Sequence, residues 1–406
     1  MSAYPKAFTY PLSRLSNFSR QKYRIQTQAQ TTFRPNDQIV VDLPVGILDM
    51  STFTMQGKLS TTGTGATASV KAPFVEGLIE SLYIEAGGVA IQNISSYGQL
   101  FNIFRDYQLG DKQSLRAILQ NDDLVAGANN TLANNTVTTN KPFAVYNWLG
   151  ALSSFKVWDT SLWPQVRLYI RLAPNAALSI AGGATNPDYT LSSVSFTCDV
   201  VDIADGIYAP MIAERLRSAP LEIAFDNYTT VMGSLGAKTS STRWSTSAHC
   251  LEGIIATAMS DTYTNNAHGT TTNLSNYFTR FGTGMTDVQF SVNGVPYPSI
   301  PMKVDDGDVA INTAHALNVS QDTLGQCNMN MNTLATWKDW FFTAAHSFTY
   351  DSDGDDSRLC GLDGRGSQLV GTVQFTGTGG QVIPLIFLRH KSVARVGAGK
   401  QIEILI

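Results

Sequence analysis

The residues best suited to holding an ion lie in one short acidic segment near the C-terminus. Clustered carboxylate oxygens are the ligands that a hard cation such as Ca²⁺ prefers. The EF-hand spacing is not met, because Gly354 comes too early and Leu362 stands at the twelfth position, where a glutamate belongs. We therefore predict an exposed acidic loop and no bound metal. The candidate ligands, should a cation bind, are Asp351, Asp353, Asp355 and Asp356.

A second place where chemistry could occur is the dipeptide His249-Cys250, which puts a base beside a thiol. Adjacent side chains on a strand point to opposite faces, which argues against their acting together. The five histidines have no metal-ligand spacing. No phosphate-binding loop, dinucleotide fingerprint or Gly-x-Ser-x-Gly elbow is found. The sequence thus predicts a protein that is not an enzyme and that has no cofactor.

Positive charge is concentrated at the N-terminus. Residues 1–36 contain six basic residues and no acidic ones, although the whole chain has a net charge of −4. A basic arm of this kind contacts an anionic partner, either nucleic acid or a lipid surface, or packs along the protein's own surface. The cations that we predict to contact a membrane or nucleic acid are Lys6, Arg14, Arg20, Lys22 and Arg24.

The composition indicates which elements must position these residues. Only 15% of the residues are charged, against about 25% in a typical soluble domain, and there are 33 glycines. This excludes a helical bundle, and the 10% aromatic residues exclude disorder. No stretch has the length of a membrane span, and the N-terminus lacks the apolar core of a signal peptide. Four cysteines without a Cys-x-x-Cys motif predict free thiols in a reducing compartment.

Short apolar and alternating segments between Gly/Thr/Asn-rich loops predict strands, and some of them recur. Residues 80–94 align with residues 286–300 at an offset of 206, which pairs Leu82 with Val288 and Gly88 with Gly294. Each segment is typical of a hairpin with a turn glycine. Weaker matches, in the same order along the chain, pair 168–171 with 386–389 and 196–200 with 402–406. We interpret the chain as a duplicated β domain.

Each half then holds about 200 residues with roughly eight strands, which fits a jelly roll better than an immunoglobulin-type sandwich or a TIM barrel. Apolar spacing predicts helices over residues 97–107 and 334–345, with a shorter one at 211–217. The predicted fold class is all-β, with two tandem eight-stranded jelly rolls, each with an inserted helix. The predicted segments are a basic arm (1–36), a first jelly roll (37–205), a linker (206–220) and a second jelly roll (221–406).

This organisation resembles the double jelly-roll major capsid proteins of icosahedral viruses. The resemblance rests on the repeats, on the Gly-Leu-Asp-Gly-Arg-Gly turn at 361–366, and on the phrase FRPNDQIVVDLP beginning at Phe33. It implies homotrimeric capsomers with a near-hexagonal outline, which contact neighbouring capsomers and tile a shell. It also implies an arm on the inner surface, against an inner membrane or the packaged genome. Further implications are other capsid proteins such as penton or spike as partners, a place in the virion, and synthesis in the host cytoplasm.

Two other classes stay open at this point. Jelly rolls also occur in carbohydrate-binding or adhesive proteins such as spike or tail components, and in cupin-type enzymes. The aromatic residues of the segment at 334–345 could line a binding groove, although such a stripe more often covers a core or docks on a neighbouring subunit. Solution mass separates the classes, because a capsid protein forms a compact trimer or a particle and a lectin forms a small oligomer.

Overall fold

Strands of the first half follow directly from alternation of apolar and polar residues, as in Ile79–Ala86, where Leu82 and Ile84 are buried and their neighbours are not. The computed structural model describes residues 18–65, 68–108, 137–181, 184–203, 205–239, 241–261, 277–317, 333–349, 361–364 and 368–405. The elements of the first half are β1 (Phe18–Gln26), β2 (Gln38–Asp42), β3 (Ile47–Thr64), β4 (Ser69–Lys71), β5 (Ile79–Ala86), β6 (Val89–Ser95), α1 (Tyr97–Gln108), β7 (Lys141–Val145), α2 (Ala151–Ser154), β8 (Val157–Asp159), β9 (Val166–Leu172), β10 (Ser179–Ala181) and β11 (Thr185–Ile203).

These strands form two antiparallel sheets that face each other. The larger sheet has the order β1-β11-β3-β7, with β8 also paired to β3, and the smaller one has the order β2-β9-β5-β6. A two-stranded ribbon of β4 and β10 forms a separate sheet, and the Thr61 hydroxyl of β3 donates a hydrogen bond to the carbonyl oxygen of Val70 on β4. Such a pair of four-stranded layers with non-consecutive neighbours is the arrangement of a jelly roll.

The second half repeats this pattern after a connecting helix. Its elements are α3 (Asp205–Ser218), β12 (Leu221–Met232), β13 (Gly236–Ala237), β14 (Ser241–Thr246), β15 (Cys250–Ser260), β16 (Met285–Val292), β17 (Val295–Lys303), α4 (Asp308–Ala316), α5 (Leu334–Trp340), β18 (Ala344–Ser347), β19 (Leu362–Asp363), β20 (Leu369–Gly377), β21 (Gln381–Gly397) and β22 (Gln401–Leu405). Its larger sheet has the order β12-β21-β15-β18 and its smaller sheet the order β14-β20-β16-β17.

Eight strands of one half match eight strands of the other. β12-β21-β15-β18 corresponds to β1-β11-β3-β7, and β14-β20-β16-β17 corresponds to β2-β9-β5-β6. β1 begins at residue 18 and β12 at residue 221, which is 203 residues later, and the same interval separates β9 from β20. The predicted fold class, two tandem jelly rolls with an inserted helix in each, is confirmed.

The protein has two apolar cores, and one of them joins the two halves. One lies inside the second jelly roll, and the other fills the first jelly roll and continues into the second. β15 is buried along nearly its whole length because it lies between them: Ile254 faces the second core and Ile255 the first. In β21, likewise, Ile386 faces the second core and Phe387 faces the first. A strand covered on both faces reads as a nearly continuous apolar segment, as both strands do, although Glu252 and Thr257 interrupt β15.

The structure also corrects or refines several expectations. Residues 18–26 of the predicted arm form β1, and Phe33 is buried and bridged to Leu191, so the boundary at residue 36 falls inside packed structure. Most of the predicted linker is the helix α3. The helix expected over 334–345 ends at Trp340, because the chain then turns into β18. Of the described residues, no helix is long and apolar enough to cross a membrane.

Candidate functional site

The two jelly rolls meet in a region that contains buried charges, buried amides and contacts between distant segments. We call this region the junction. It consists of α1, α2 and β6 of the first jelly roll, the outer face of the β12-β21-β15 sheet, and residues 277–280. The rings of Phe104 on α1 and Tyr228 on β12 lie 6.0 Å apart, edge to face. Gln99 on α1 donates a hydrogen bond to the Sδ of Met259 on β15, at 3.1 Å. All residues of α1 from Tyr97 to Tyr107 are buried.

Gln92 on β6 joins three segments through one side chain that is 2% exposed. Its Nε2 donates to the carbonyl oxygen of Asp226 at 3.0 Å and to the Oδ1 of Asn227 at 3.2 Å, both on β12. Its Oε1 accepts a hydrogen bond from the backbone amide of Ala151 at the start of α2, at 2.9 Å. Gly150 has a positive φ of 75°, and a Cβ there would meet the Gln92 amide. The amide therefore fixes the first jelly roll against the edge of the second.

An ion pair whose two side chains are buried crosses the junction. Asp106 on α1 is fully buried, and Arg280, which follows the second jelly roll's β15 in sequence, contacts it with Nη2. Arg105 lies 3.9 Å from the same carboxylate and stacks over the ring of Phe74 at 4.7 Å. Both charges are removed from water in this pair. Replacing only one of the two residues would therefore leave the other charge buried without its partner and would strongly lower the stability of the protein.

A second charged cluster lies on the outer face of the second jelly roll's larger sheet. Lys391 places its Nζ 3.0 Å from Asp226, and Arg389 places its Nε 3.1 Å from Glu252. Glu252 and Lys391 are each about 5% exposed. Burial raises the pKa of Tyr228, which lies beside this cluster, well above its ordinary value. The hydroxyl therefore stays protonated at neutral pH.

His390 lies between these charges but faces the inside of the second jelly roll. It is fully buried, and its Nε2 lies 3.0 Å from the hydroxyl of Thr229. Burial lowers the pKa of His390 to about 4, although the carboxylate of Asp226 acts in the opposite direction. The imidazole is therefore neutral in the folded protein.

We expect His390 to make the protein less stable as the pH falls. Its pKa is depressed in the folded state, so the unfolded chain binds a proton first. The stability that depends on neutral His390 is therefore present above about pH 6.5 and is lost progressively towards pH 4. The loss attributable to this one group is roughly 2–3 kcal/mol at pH 4.5. Chemical denaturation of the wild type and of His390→Gln between pH 7 and 4.5 measures it, and equal slopes for the two proteins would contradict it.

Three of the five cations predicted to contact an anionic partner lie within the described residues, and the structure brings them to one face of β1. Arg20, Lys22 and Arg24 alternate along the strand and are exposed. Arg20 pairs with Asp199 at 2.7 Å and Asp49 at 2.8 Å, so two acids of its own sheet neutralise it. Arg24 donates to the Ser195 hydroxyl at 3.1 Å. Lys22 makes no ion pair with a described residue, and Lys6 and Arg14 lie outside these residues.

The remaining chemical candidates do not form a reaction centre in the described chain. Asp351, Asp353, Asp355 and Asp356 lie outside the described residues, and among those described no group of three or more potential metal ligands occurs. His249 precedes β15, so the strand alternation rule does not separate it from Cys250, and both line a cavity of about 390 Å³. Cys250 is buried in that wall.

The aromatic residues at 337–342 are mostly part of the second core. Trp337, Phe341 and Phe342 are buried there, and Trp340 packs against the same core. Trp337 also donates from its indole nitrogen to the hydroxyl of Tyr107 on α1, at 2.8 Å. These aromatic residues therefore cover the second core and reach the junction, as we expected for a stripe with a structural role.

Comparison with solved structures decides the fold. The chain resembles the PBCV-1 protein VP54, fitted into a reconstruction of the virophage Sputnik, with a TM-score of 0.62, 12% identity, and 98% of this chain and 99% of that one covered. The chain has the double jelly-roll fold. The Faustovirus major capsid protein gives a TM-score of 0.58 at 7% identity, with 95% and 92% covered. The mavirus major capsid protein gives 0.51 at 10% identity, with 100% and 95% covered.

At the level of sequence, no protein-family model and no curated protein matches this double jelly-roll chain. The likeness is therefore one of architecture. It extends over both jelly rolls and their connection, since nearly the whole of each compared chain is covered.

The sequence did not reveal the junction of the double jelly roll. Gln92 and Asn227 belong to segments with ordinary strand patterns, and nothing in those patterns indicates that they meet. One signal was present: Arg105 and Asp106 are adjacent charges in the segment YGQLFNIFRDY, which has no other charged residue. Buried charges are rare unless they are paired, so they indicate a partner elsewhere in the chain.

Proposed function

We propose that this chain is a major capsid protein. Three copies associate into a capsomer with a pseudo-hexagonal outline, and such capsomers assemble an icosahedral shell. Its role is structural and not catalytic. Its partners are further copies of itself and other capsid proteins such as penton or spike. It is made in the host cytoplasm and resides in the virion.

The observation that carries the proposal is end-to-end likeness to capsid proteins, covering two jelly rolls in the same order with little unmatched chain on either side. A single jelly roll serves many functions, but two in tandem give each copy two similar wedges. Three copies then provide six wedges around an axis, which makes a near-hexagonal tile. The low proportion of charged residues suits a surface covered by neighbours, since the cores of interfaces are depleted in charge.

Electron microscopy and mass measurement of the expressed full-length chain test this proposal. We expect trimers of about three chain masses, with a six-lobed outline, or closed shells. A monomer or dimer that binds glycans on an array would support the carbohydrate-binding or adhesive alternative and would overturn the capsid role.

We propose that the N-terminal segment contacts an anionic surface inside the particle, either packaged nucleic acid or an inner membrane. The cations assigned to this contact are Lys6, Arg14, Arg20, Lys22 and Arg24; Arg20 is already paired with two acids of its own sheet. Such a contact depends on neutralisation of phosphate and weakens with salt.

Deletion of residues 2–17 is expected to leave the trimer intact and to reduce the yield of particles at least several-fold. The deletion stops before β1, because removal of residues 18–24 would take most of a strand out of the larger sheet. Size-exclusion chromatography with light scattering reports the trimer, and electron microscopy counts the particles. Lys6→Glu with Arg14→Glu in the full-length chain is the matched charge variant, and normal particle yields from both variants would contradict the contact.

A further inference from the structure

A cavity of about 290 Å³ lies in the first jelly roll beside the junction. Its walls come from α1, from the beginning of β3 and from residues 146–156, which connect β7 to β8 and include α2. The inner walls are apolar side chains that are each no more than 6% exposed: Met50, Phe101, Phe104, Trp148, Leu152 and Phe155. Ligand sites are typically cavities of this kind at the boundary between two domains.

The polar groups beside the inner walls are already satisfied. The indole nitrogen of Trp148 donates a hydrogen bond to the carbonyl oxygen of Phe53 at 2.9 Å. The backbone amide of Leu149 donates to the hydroxyl of Tyr97 at 3.0 Å. These groups have no need of a polar partner inside the cavity, and apolar cavities bind apolar molecules in preference to water. The inner part of the cavity therefore suits a hydrocarbon chain.

The open side of the cavity is polar and carries a cation. Lys156 and Ser153 are exposed there, and Tyr146 and Asn147 are half-buried. Within the described part of the chain, no acidic residue lines the cavity and no carboxylate pairs with Lys156. An ammonium group and neutral hydrogen-bond donors complement the charge of a carboxylate. The open side therefore suits an anionic head group.

The volume of the cavity limits the size of its ligand. An apolar cavity of about 150 Å³ binds benzene, so by proportion one of this size takes roughly ten carbon atoms. A single alkyl chain of medium length meets this limit, whereas a phospholipid with two long acyl chains does not.

We infer that the cavity binds a medium-chain fatty acid. The alkyl chain lies between Phe101, Leu152 and Phe155, and the carboxylate lies at Lys156. The inference goes beyond the proposed function and does not depend on it, because all these residues belong to one copy of the chain.

The position of the cavity connects such a ligand to the junction. The ring of Phe104 in its wall lies 6.0 Å from that of Tyr228, and the ring of Phe155 lies 5.4 Å from that of Phe225. Both partners belong to the second jelly roll. A ligand that binds only the folded cavity stabilises the folded protein by mass action. We therefore expect the thermal midpoint of the full-length chain to rise with ligand concentration.

Isothermal titration calorimetry of the full-length chain with decanoate, below the concentration at which it forms micelles, tests the inference. We expect one site per chain, with decanol bound about five-fold more weakly because it lacks the charge, and decylammonium more weakly still. Lys156→Ala should weaken decanoate about five-fold and leave decanol unchanged. Equal affinities of the wild type for all three compounds would overturn the assignment of a carboxylate.

A variant that blocks the cavity tests its location. Ser153→Trp places a large ring at the open side and is expected to abolish the binding of decanoate. Ser218→Trp is the matched control, because both serines are exposed, end a helix and donate to the carbonyl oxygen three residues earlier at 2.8 Å. Leu152→Phe adds volume to the inner wall and should weaken binding several-fold. Circular dichroism confirms that each variant folds, and unchanged binding in both cavity variants would overturn the inference.

Vesicles separate a free fatty acid from a membrane lipid as the ligand. We expect Ser153→Trp to leave flotation of the protein with phosphatidylcholine vesicles unchanged. Flotation that Ser153→Trp abolishes, in a protein that does not bind decanoate, would overturn the inference in favour of an acyl chain within a membrane. Trimers or shells that do not bind decanoate would overturn it and leave the capsid role intact.

Discussion

Replacement of Asp106 by alanine is expected to lower the free energy of unfolding by about 3–5 kcal/mol. The carboxylate is fully buried, and its partner Arg280 has a side chain that is only 4% exposed. The alanine variant leaves a guanidinium in the protein interior without its counter-charge, and the cost of desolvating that charge is no longer compensated. Equilibrium denaturation in guanidinium chloride, followed by tryptophan fluorescence, measures the change.

The double variant Asp106→Leu with Arg280→Met is the control for this prediction. It removes both charges and keeps apolar volume, so it should recover most of the lost stability, because a buried pair contributes little net stabilisation against a well-packed apolar pair. Glu222→Ala breaks an exposed ion pair with Arg395 and should have a much smaller effect. A cost for Asp106→Ala no larger than that for Glu222→Ala would show that the pair does not hold the junction.

The duplication could be predicted from the sequence because one hairpin retains its pattern in both halves. Leu82 and Ile84 face the first core as Val288 and Phe290 face the second, and the turn glycines at 88 and 294 both have positive φ. A tight turn with this backbone strongly favours glycine, so the motif survives where other residues change.

The later repeats were aligned wrongly. Residues 168–171 lie on β9, in a smaller sheet, but their supposed partners at 386–389 lie on β21, in a larger sheet. Residues 196–200 lie on β11, whose counterpart is β21 and not the final strand, β22. Short apolar alternations show that a strand is half-buried, but they do not show which strand lies beside it. Sheet membership depends on long-range pairing, which one sequence does not reveal.

The helices show a related limit. Aromatic spacing located α1 correctly, but it extended α5 beyond its end at Trp340, since Phe341 and Phe342 also face the second core although they lie outside the helix. α4 was not predicted, because DVAINTAHA has few large apolar residues. The described residues cover α4 on one side only, and its weak amphipathic pattern is typical of such a helix.

Phe225→Ala at the other end of the junction is expected to lower the free energy of unfolding by about 3–5 kcal/mol, the usual cost of removing a buried phenyl ring. Phe225 is fully buried on β12, and its ring lies 5.4 Å from that of Phe155 in the first jelly roll. Phe155 in turn packs against Trp158 at 4.7 Å. The truncation therefore opens a cavity between the two jelly rolls and not inside either of them.

Because that cavity lies between the two jelly rolls, we expect Phe225→Ala to unfold differently from a variant with a cavity inside one core. Phe290→Ala is the matched control, because Phe290 is equally buried but lies within the second core. We expect both variants to lose stability, and only Phe225→Ala to separate denaturation into two transitions, because it weakens the contact through which the jelly rolls unfold together. A single transition with an unchanged slope in Phe225→Ala would contradict this and would place the cooperativity of the chain in the ion pair and the Gln92 amide instead.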